Sequence, residues 1–221
     1  MRASKTTQAK TKIRQQTETQ LSNVSARMRA ALLETAVEMV NQGRLPSVTE
    51  LAHEACVSRA TAYRHFPTRA RLIADLTDFS LGPVRSWVSG HEDGVERVME
   101  LFENTFPRFK EYETQLRAAL LLSLEHQLLA QAGALKEDQY KRGFRRNLLT
   151  EAARPLKATL GKRRFDRLVR ALSLIYGIES YVVFKDIWDS STAETEATAR
   201  WMALALLKQA LAEAGVDCPL D

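Results

Sequence analysis

The chain has 221 residues, 45% of them hydrophobic, and 32 Lys and Arg against 27 Asp and Glu give a net charge of +5. This length fits one large domain, or a small one and a larger one, with a substantial apolar core. Cys56 and Cys218 have no metal-binding spacing and favour a reduced, cytoplasmic protein that holds no metal or cofactor. The absence of an apolar run of roughly 18 residues or an N-terminal signal core predicts a protein that has no membrane partner and is not exported.

The positive charge is concentrated in the N-terminal part of the sequence. Residues 1–85 contain 13 Lys and Arg and 7 Asp and Glu, a net charge of +6, whereas residues 86–221 contain 19 and 20, a net charge of −1. A basic segment of this kind favours contact with nucleic acid, although a basic tail on an ordinary protein has the same composition. We predict that residues 1–24 form a disordered arm, which either follows DNA or is an inert leader.

Apolar spacing predicts helices along the whole chain after residue 24 and no strand, so the expected fold class is all-α with about nine helices. The first helix starts near Ser25. The second starts at a capping box, in which Ser47 caps the helix together with Glu50. The third starts at Ser58, another favourable N-cap residue.

A fourth helix is predicted from about Thr68 until Gly82-Pro83 interrupts it, and we place a domain boundary there. The expected domains are therefore 1–24, 25–82 and 83–221. The third domain is larger, and its apolar pattern predicts a helix that begins near Val95 and is bent at Pro107. Further helices are predicted over about 116–133, 135–155, 165–186 and 192–214.

The third helix has the composition of a DNA-reading element. It carries Arg59, Thr61, Tyr63, Arg64 and His65, with little apolar bulk between them. Cationic, hydroxyl and phenol groups bind phosphates and base edges. Together with the short capped helix before it, this helix predicts a helix-turn-helix domain that binds double-stranded DNA.

The residues Val57-Ser58-Arg59-Ala60-Thr61-Ala62-Tyr63-Arg64-His65-Phe66, followed by Arg69 and Leu72, resemble the tetracycline-repressor (TetR/AcrR) family. The resemblance covers about residues 26–75. It implies an N-terminal three-helix DNA-binding domain joined to a larger helical domain for ligand binding and dimerisation. It also implies a homodimeric transcription regulator, usually a repressor that a small-molecule effector releases from a palindromic operator.

The resemblance also implies roles for individual residues. Tyr63, His65 and Arg69 match phosphate contacts, and Arg59, Ala62 and Arg64 are candidates for reading bases. For three of these an alternative remains open: Tyr63 packs on the first helix, His65 caps the third, or Arg64 is solvated. The complete set of predicted DNA-binding residues is Ser47, Ser58, Arg59, Thr61, Ala62, Tyr63, Arg64, His65 and Arg69.

Cys56 departs from the family pattern, which usually has glycine in this turn. A residue other than glycine with a positive φ is strained by about 1 kcal/mol. The turn is therefore either strained or differently shaped. The thiol is either a site of redox control or a small, partly buried side chain.

The C-terminal domain is expected to bind the effector and the second protomer. Its aromatic residues either line an apolar ligand pocket or belong to the core. The basic cluster Lys141, Arg142, Arg145 and Arg146 either favours an anionic ligand or forms a solvated face. The candidate pocket residues are Phe102, Phe106, Phe109, Tyr112, His126, Tyr140, Phe144 and Trp188. The candidate dimer contacts, in the last two helices, are Leu168, Leu172, Ile175, Tyr176, Trp201, Leu204 and Leu211.

The alternative function is a helical small-molecule-binding protein, or an enzyme, without specific DNA binding. An enzyme is disfavoured because the sequence has no Gly-rich phosphate loop, nucleophile elbow or metal-spaced His and Cys set. The four histidines are scattered. We therefore predict a protein that is not an enzyme and that has no catalytic residues.

Overall fold

A computed structural model describes residues 23–220, which contain ten α-helices, one 3-10 helix and no β-strand. The predicted all-α fold with about nine helices is therefore confirmed. Residues 1–22 of the predicted arm lie outside the described residues, and residues 23 and 24 belong to the first helix. The helices are α1 (23–41), α2 (Val48–Glu54), α3 (Arg59–His65), α4 (Arg69–Leu81), the 3-10 helix (Gly82–Ser86), α5 (Gly94–Glu111), α6 (Glu113–Gln131), α7 (Phe144–Ala152), α8 (Leu156–Ile175), α9 (Ile178–Trp188) and α10 (Thr192–Ala212).

The chain divides into two compact units, and the division falls within α4. The first unit ends at Leu72 and the second begins at Ile73. The predicted boundary at residue 82 lies ten residues further along the chain, where Gly82 ends α4 with a φ of +47°.

The first unit has a core of its own, built from α1, α2, α3 and the start of α4. Ser47 and Glu50 form the predicted capping box: Glu50 N donates to Ser47 Oγ over 3.2 Å, and Ser47 N donates to Glu50 Oε2 over 2.8 Å. This box starts α2 at Val48 and places Leu51 and Ala52 in the core. The buried residues of this core are Leu32, Leu33, Ala36, Met39, Val48, Leu51, Ala52, Ala62, Phe66 and Leu72.

The second unit is organised around a cluster of aromatic rings contributed by α5, α9 and the link between α8 and α9. Neighbouring ring centroids lie 5.1–6.1 Å apart, the spacing of favourable aromatic pairs. α5 continues through Pro107 to Glu111, so the proline does not end the helix. The members of the cluster are Phe102, Phe106, Phe109, Tyr176 and Tyr181.

Two helix predictions in this unit were wrong. The basic helix expected from about residue 135 begins only at Phe144, because Tyr140 N donates to His126 Nδ1 over 3.0 Å and holds the preceding segment in a non-helical path. The helix expected over 165–186 is divided at Tyr176 and Gly177. A Cβ atom at Gly177 would overlap Arg145 Nη1, so glycine permits the close approach of that guanidinium.

Candidate functional site

One face of α3 packs in the core of the first unit, and the opposite face is therefore exposed. Ala62 and Phe66 are both fully buried. Ser58 caps the helix, since Thr61 N donates to Ser58 Oγ over 3.1 Å. Arg59, Tyr63 and Arg64 remain exposed to solvent.

Ala62 must be removed from the predicted base contacts. It has no exposed surface and belongs to the core of the first unit. The small side chain is needed there because α3 packs closely against its neighbours. Ala60 is the exposed alanine of this helix.

Four of the predicted polar DNA-binding residues also make contacts within the helix-turn-helix. Ser47 caps α2, and Ser58 Oγ lies 2.9 Å from Thr61 Oγ1. The Tyr63 hydroxyl lies 3.3 Å from Thr49 Oγ1 and so links α3 to α2, while 45% of Tyr63 stays exposed. Tyr63 is therefore tied to α2, and it keeps an accessible surface.

His65 and Arg69 are half-buried, unlike the two exposed arginines of α3. Burial lowers the pKa of the His65 imidazole, and the positive charges of Arg64 and Arg29 lower that pKa further. In the protein alone, both effects favour the neutral imidazole, which has one N–H donor.

The turn between α2 and α3 is strained at Cys56. Its φ is +52°, in the left-handed region, and its side chain is exposed. The strained alternative is thus the one found, whereas the expectation of a partly buried thiol was wrong. The backbone holds this conformation because Cys56 N donates to His53 O over 3.1 Å and Val57 N donates to Ala52 O over 3.0 Å.

A second candidate site is a cavity of about 250 Å³ inside the second unit. This is slightly below the range of about 300–1,000 Å³ typical of small-molecule pockets. Side chains from α4, the 3-10 helix, α5, α6, α7 and α9 surround it, together with the segment before α7. Its apolar walls are formed by Leu81, Val84, Phe109, Leu116, Leu148 and Ile178.

Three of the eight predicted pocket residues line this cavity, namely Phe109, Tyr140 and Phe144. Phe102 and Phe106 are buried core residues, Tyr112 is half-buried, and 72% of Trp188 is exposed. His126 is buried behind the segment that carries Tyr140. These five side chains do not line the cavity, because periodicity does not separate an aromatic residue in the core from one at a cavity wall.

Two arginine–carboxylate groups line the cavity. Arg145 forms a bidentate pair with Glu179, whose Oε1 also accepts from Arg142 Nη1 over 2.8 Å. On another side, Arg85 pairs with Asp78 and stacks on the Phe144 ring, 4.0 Å from its centroid. Burial alone would raise the pKa of Glu179, but its hydrogen bonds and charge interactions with Arg145 and Arg142 outweigh burial and lower that pKa.

The Tyr140 hydroxyl is a further polar group in the cavity wall, 3.2 Å from Thr77 Oγ1. Thr77 Oγ1 donates its proton to Ile73 O over 2.7 Å, so Tyr140 is the donor in the pair. Burial raises the pKa of Tyr140, while the charges of Arg142 and Arg85 partly oppose that shift.

No protein-family model matches this chain, and no curated protein matches it. Residues 23–220 contain no group of three or more His, Cys, Asp or Glu side chains arranged to hold a metal ion. None of the helices within the same residues is both long and apolar enough to cross a bilayer.

The predicted dimer contacts are mostly core residues and need correction. Leu168, Leu172, Ile175, Tyr176 and Leu211 are buried inside the protomer, where a second copy does not reach them. Leu204 is half-buried, and 70% of Trp201 is exposed. The pattern was misleading because the apolar faces of α8 and α10 pack against each other and against α5, α7 and α9 within the second unit.

Sequence reasoning missed five polar residues of the cavity wall: Thr77, Asp78, Arg85, Thr105 and Glu179. Each is a single polar residue on a helix, a pattern that is also typical of a solvated face. The basic run was a partial signal, because its members Lys141, Arg142 and Arg145 do line the cavity while Arg146 does not.

Proposed function

We propose that this chain is a homodimeric transcription regulator of the tetracycline-repressor type, which binds double-stranded operator DNA and releases it when a small molecule binds. The observation that carries the proposal is the exposed face of α3, where Arg59, Tyr63 and Arg64 face solvent while Ala62 and Phe66 are buried. Arginine side chains suit guanine edges and phosphates, and a phenol hydroxyl suits a phosphate.

The charge of the first unit supports this assignment. Residues 23–72 contain seven Arg against four Glu, a net charge of +3. Two of these arginines, Arg59 and Arg64, lie on α3 itself and are exposed. Phosphate neutralisation by such side chains releases counterions, so the affinity for DNA should fall steeply with salt concentration.

The cavity supports an effector site within the second unit. Its lining includes Ala74, Thr77, Asp78 and Leu81, all on α4. α4 continues without interruption into the first unit, since it starts at Arg69. A ligand that favours one position of α4 therefore has a direct route to change DNA affinity through population shift.

Dimerisation needs an accessible apolar surface, and α6 and α9 offer one. These two helices pack together and carry a series of exposed apolar side chains. Exposed apolar groups of this density are typical of protein interaction sites. The proposed dimer contacts are Leu121, Leu124 and Leu128 of α6, with Val183, Ile187 and Trp188 of α9.

The test is selection of bound sequences from random duplex DNA, followed by affinity measurements on the selected site at several salt concentrations. We expect a specific, salt-sensitive complex that Arg64→Ala weakens by about 10- to 100-fold. Arg163→Ala is the matched control, because Arg163 is an exposed arginine of α8 and its loss changes net charge equally. Equal losses for both variants, or no enriched sequence, would contradict the proposal.

The cavity on its own also favours the alternative of a small-molecule-binding protein without specific DNA binding. The two functions differ in one measurable respect. The alternative predicts ligand binding that is unaffected by duplex DNA, whereas a ligand-released regulator must bind ligand more weakly when DNA is present, by thermodynamic reciprocity.

A further inference from the structure

The cavity in the second unit has guanidinium donors that its own carboxylates do not use. Within residues 23–220, Arg85 pairs with Asp78 through Nη2, and Arg142 pairs with Glu179 through Nη1. No other hydrogen bond is made by these two guanidinium groups inside that range, and the Nε atom of each is buried without a partner. Because a guanidinium has five N–H donors, Nη1 of Arg85 and Nη2 of Arg142 retain donors for a ligand.

The charges that line the cavity leave a positive excess. Four cations, Arg85, Lys141, Arg142 and Arg145, stand against Asp78 and Glu179, so the net charge is 4 − 2 = +2. Lys141 is exposed to solvent, where its charge is screened. Asp78 is exposed as well, but its ion pair with Arg85 keeps its charge beside that guanidinium. The remaining excess is about one unit, which arises because the single carboxylate of Glu179 serves both Arg142 and Arg145. An anion with one charge therefore balances the site, whereas a cation would add to its repulsion.

Arg145 holds this arrangement in place. Besides its bidentate pair with Glu179, Arg145 Nη1 donates to Ser173 O over 3.2 Å and to Tyr176 O over 3.4 Å. Arg145 thus fixes the carboxylate of Glu179, and Glu179 in turn orients Arg142. Arg145 therefore positions Glu179, whereas Arg142 retains an N–H donor for a ligand.

Arg85 and Arg142, the two arginines that retain N–H donors, line the same cavity. The charges of both Arg85 and Arg142 influence the Tyr140 hydroxyl. The Arg85 guanidinium carbon lies over the Phe144 ring, 4.0 Å from its centroid, in a cation–π contact. Arg85 and Arg142 therefore line the same cavity as Tyr140, and both are near enough for their charges to affect its hydroxyl.

The rest of the cavity is apolar and small. Its volume of about 250 Å³ is slightly below the usual range for small-molecule pockets, so it suits a ligand with a single ring or a short aliphatic chain. Aliphatic side chains and the rings of Phe109 and Phe144 would surround the apolar part of such a ligand. Its removal from water would stabilise the complex.

We infer that this cavity binds small monocarboxylates with an aromatic or aliphatic body, whose carboxylate is held by the remaining donors of Arg85 and Arg142. Planar, bidentate recognition of carboxylates is a property of guanidinium groups. The inference deepens the proposed function, since it names the chemical class of the effector. Binding is tested on the protein without DNA.

The experiment is isothermal titration calorimetry of the full chain with benzoate, benzamide and benzamidine. These planar molecules have nearly the same shape but are anionic, neutral and cationic at neutral pH. We expect benzoate to bind at least about tenfold more tightly than benzamide, and benzamidine to give no binding heat. Equal affinities for benzoate and benzamide, or no binding of benzoate, would overturn the inference.

A pair of variants then locates the charge. Arg142→Met keeps an apolar side chain of similar length, and we expect it to weaken benzoate binding at least about tenfold while benzamide changes less than about twofold. Arg146→Met is the control, because Arg146 is exposed and lies outside the cavity wall. An equal loss in both variants would overturn the assignment. If Arg142→Met fails to fold by circular dichroism, Arg85→Met serves the same purpose.

Ligand binding and DNA binding can fail separately. Arginine-dependent binding of benzoate without any effect on the selected DNA complex would leave the carboxylate site in place and contradict the regulatory function. A specific DNA complex with no benzoate binding would contradict the carboxylate site and leave the DNA-binding assignment in place.

Discussion

The Tyr176 hydroxyl lies 2.6 Å from Thr105 Oγ1, and this hydrogen bond joins the end of α8 to the middle of α5. Thr105 Oγ1 also lies 2.7 Å from Leu101 O, which accepts its proton, so Tyr176 is the donor in the pair. Burial raises the pKa of Tyr176, so it stays protonated across the physiological pH range. Tyr176 is therefore a structural residue of the protomer.

Replacing Tyr176 with phenylalanine should lower the free energy of unfolding by about 0.5–1.5 kcal/mol, because one buried hydrogen bond is lost and the ring packing is kept. Urea denaturation checks this value. Tyr63→Phe is the control, and it should change stability by less than about 0.5 kcal/mol because Tyr63 is half-exposed. A change in oligomeric state on Tyr176→Phe would restore this residue to the dimer interface.

Cys56→Gly should stabilise the protein. A left-handed backbone costs a residue other than glycine about 1–2 kcal/mol, and the greater freedom of glycine in the unfolded chain offsets about 0.5–1 kcal/mol of that gain. We expect a net stabilisation of up to about 1.5 kcal/mol in urea denaturation. Cys56→Ala removes the thiol and keeps the strain, so a similar gain in that variant would contradict the backbone explanation.

Local signals in the sequence predicted most of the fold. The predicted Ser47–Glu50 capping box is present, because a cap depends on residues within one helical turn. Ser191 and Glu194 form a second capping box of the same kind at the start of α10. The break at Gly177 was missed, since it depends on the approach of Arg145, which is 32 residues away in the sequence.

The candidate sites were less predictable from the sequence because they depend on contacts between residues that are far apart in the chain. The composition of α3 predicts that the helix is exposed, and the sequence identified its polar residues. The burial of Ala62 was missed because it depends on how α3 packs on other helices. The cavity joins residues from Ala74 to Glu179, so no short pattern encodes it. Its aromatic residues have the same helical spacing as the core rings Phe102 and Phe106.

Ala62→Leu tests whether this alanine serves packing. Three added carbon atoms in a filled core force neighbouring side chains apart, and we expect a loss of about 1–3 kcal/mol of stability. Ala60→Leu on the exposed side of the same helix is the control, with an expected change below about 0.5 kcal/mol. Thermal and urea unfolding of the two variants measure the difference, and equal effects would contradict the burial of Ala62.

Charged substitutions on α6 test the proposed dimer surface. The double variant Leu124→Glu with Leu128→Glu should raise the dimer dissociation constant at least about tenfold, because desolvated glutamates disfavour an apolar contact. Analytical ultracentrifugation over a range of concentrations gives this constant. Leu174→Glu is the control, since Leu174 is 75% exposed on α8, a helix that carries none of the proposed dimer contacts. A dimer unaffected by the double variant would place the interface elsewhere.

Glu179→Gln should lower stability in a pH-dependent way. At neutral pH the carboxylate balances the positive charges of Arg142 and Arg145. Its loss should lower the free energy of unfolding by about 1–3 kcal/mol. This is less than for a fully buried ion pair, because Glu179 is one-third exposed. Its pKa is lower in the folded protein than in the unfolded chain. The stabilisation is therefore complete above the unfolded pKa of about 4.3 and is lost as pH falls through the lower folded pKa. Urea denaturation of both proteins between about pH 3 and pH 7 should show the difference shrinking below about pH 4.3, and a constant difference would contradict the role of the charge.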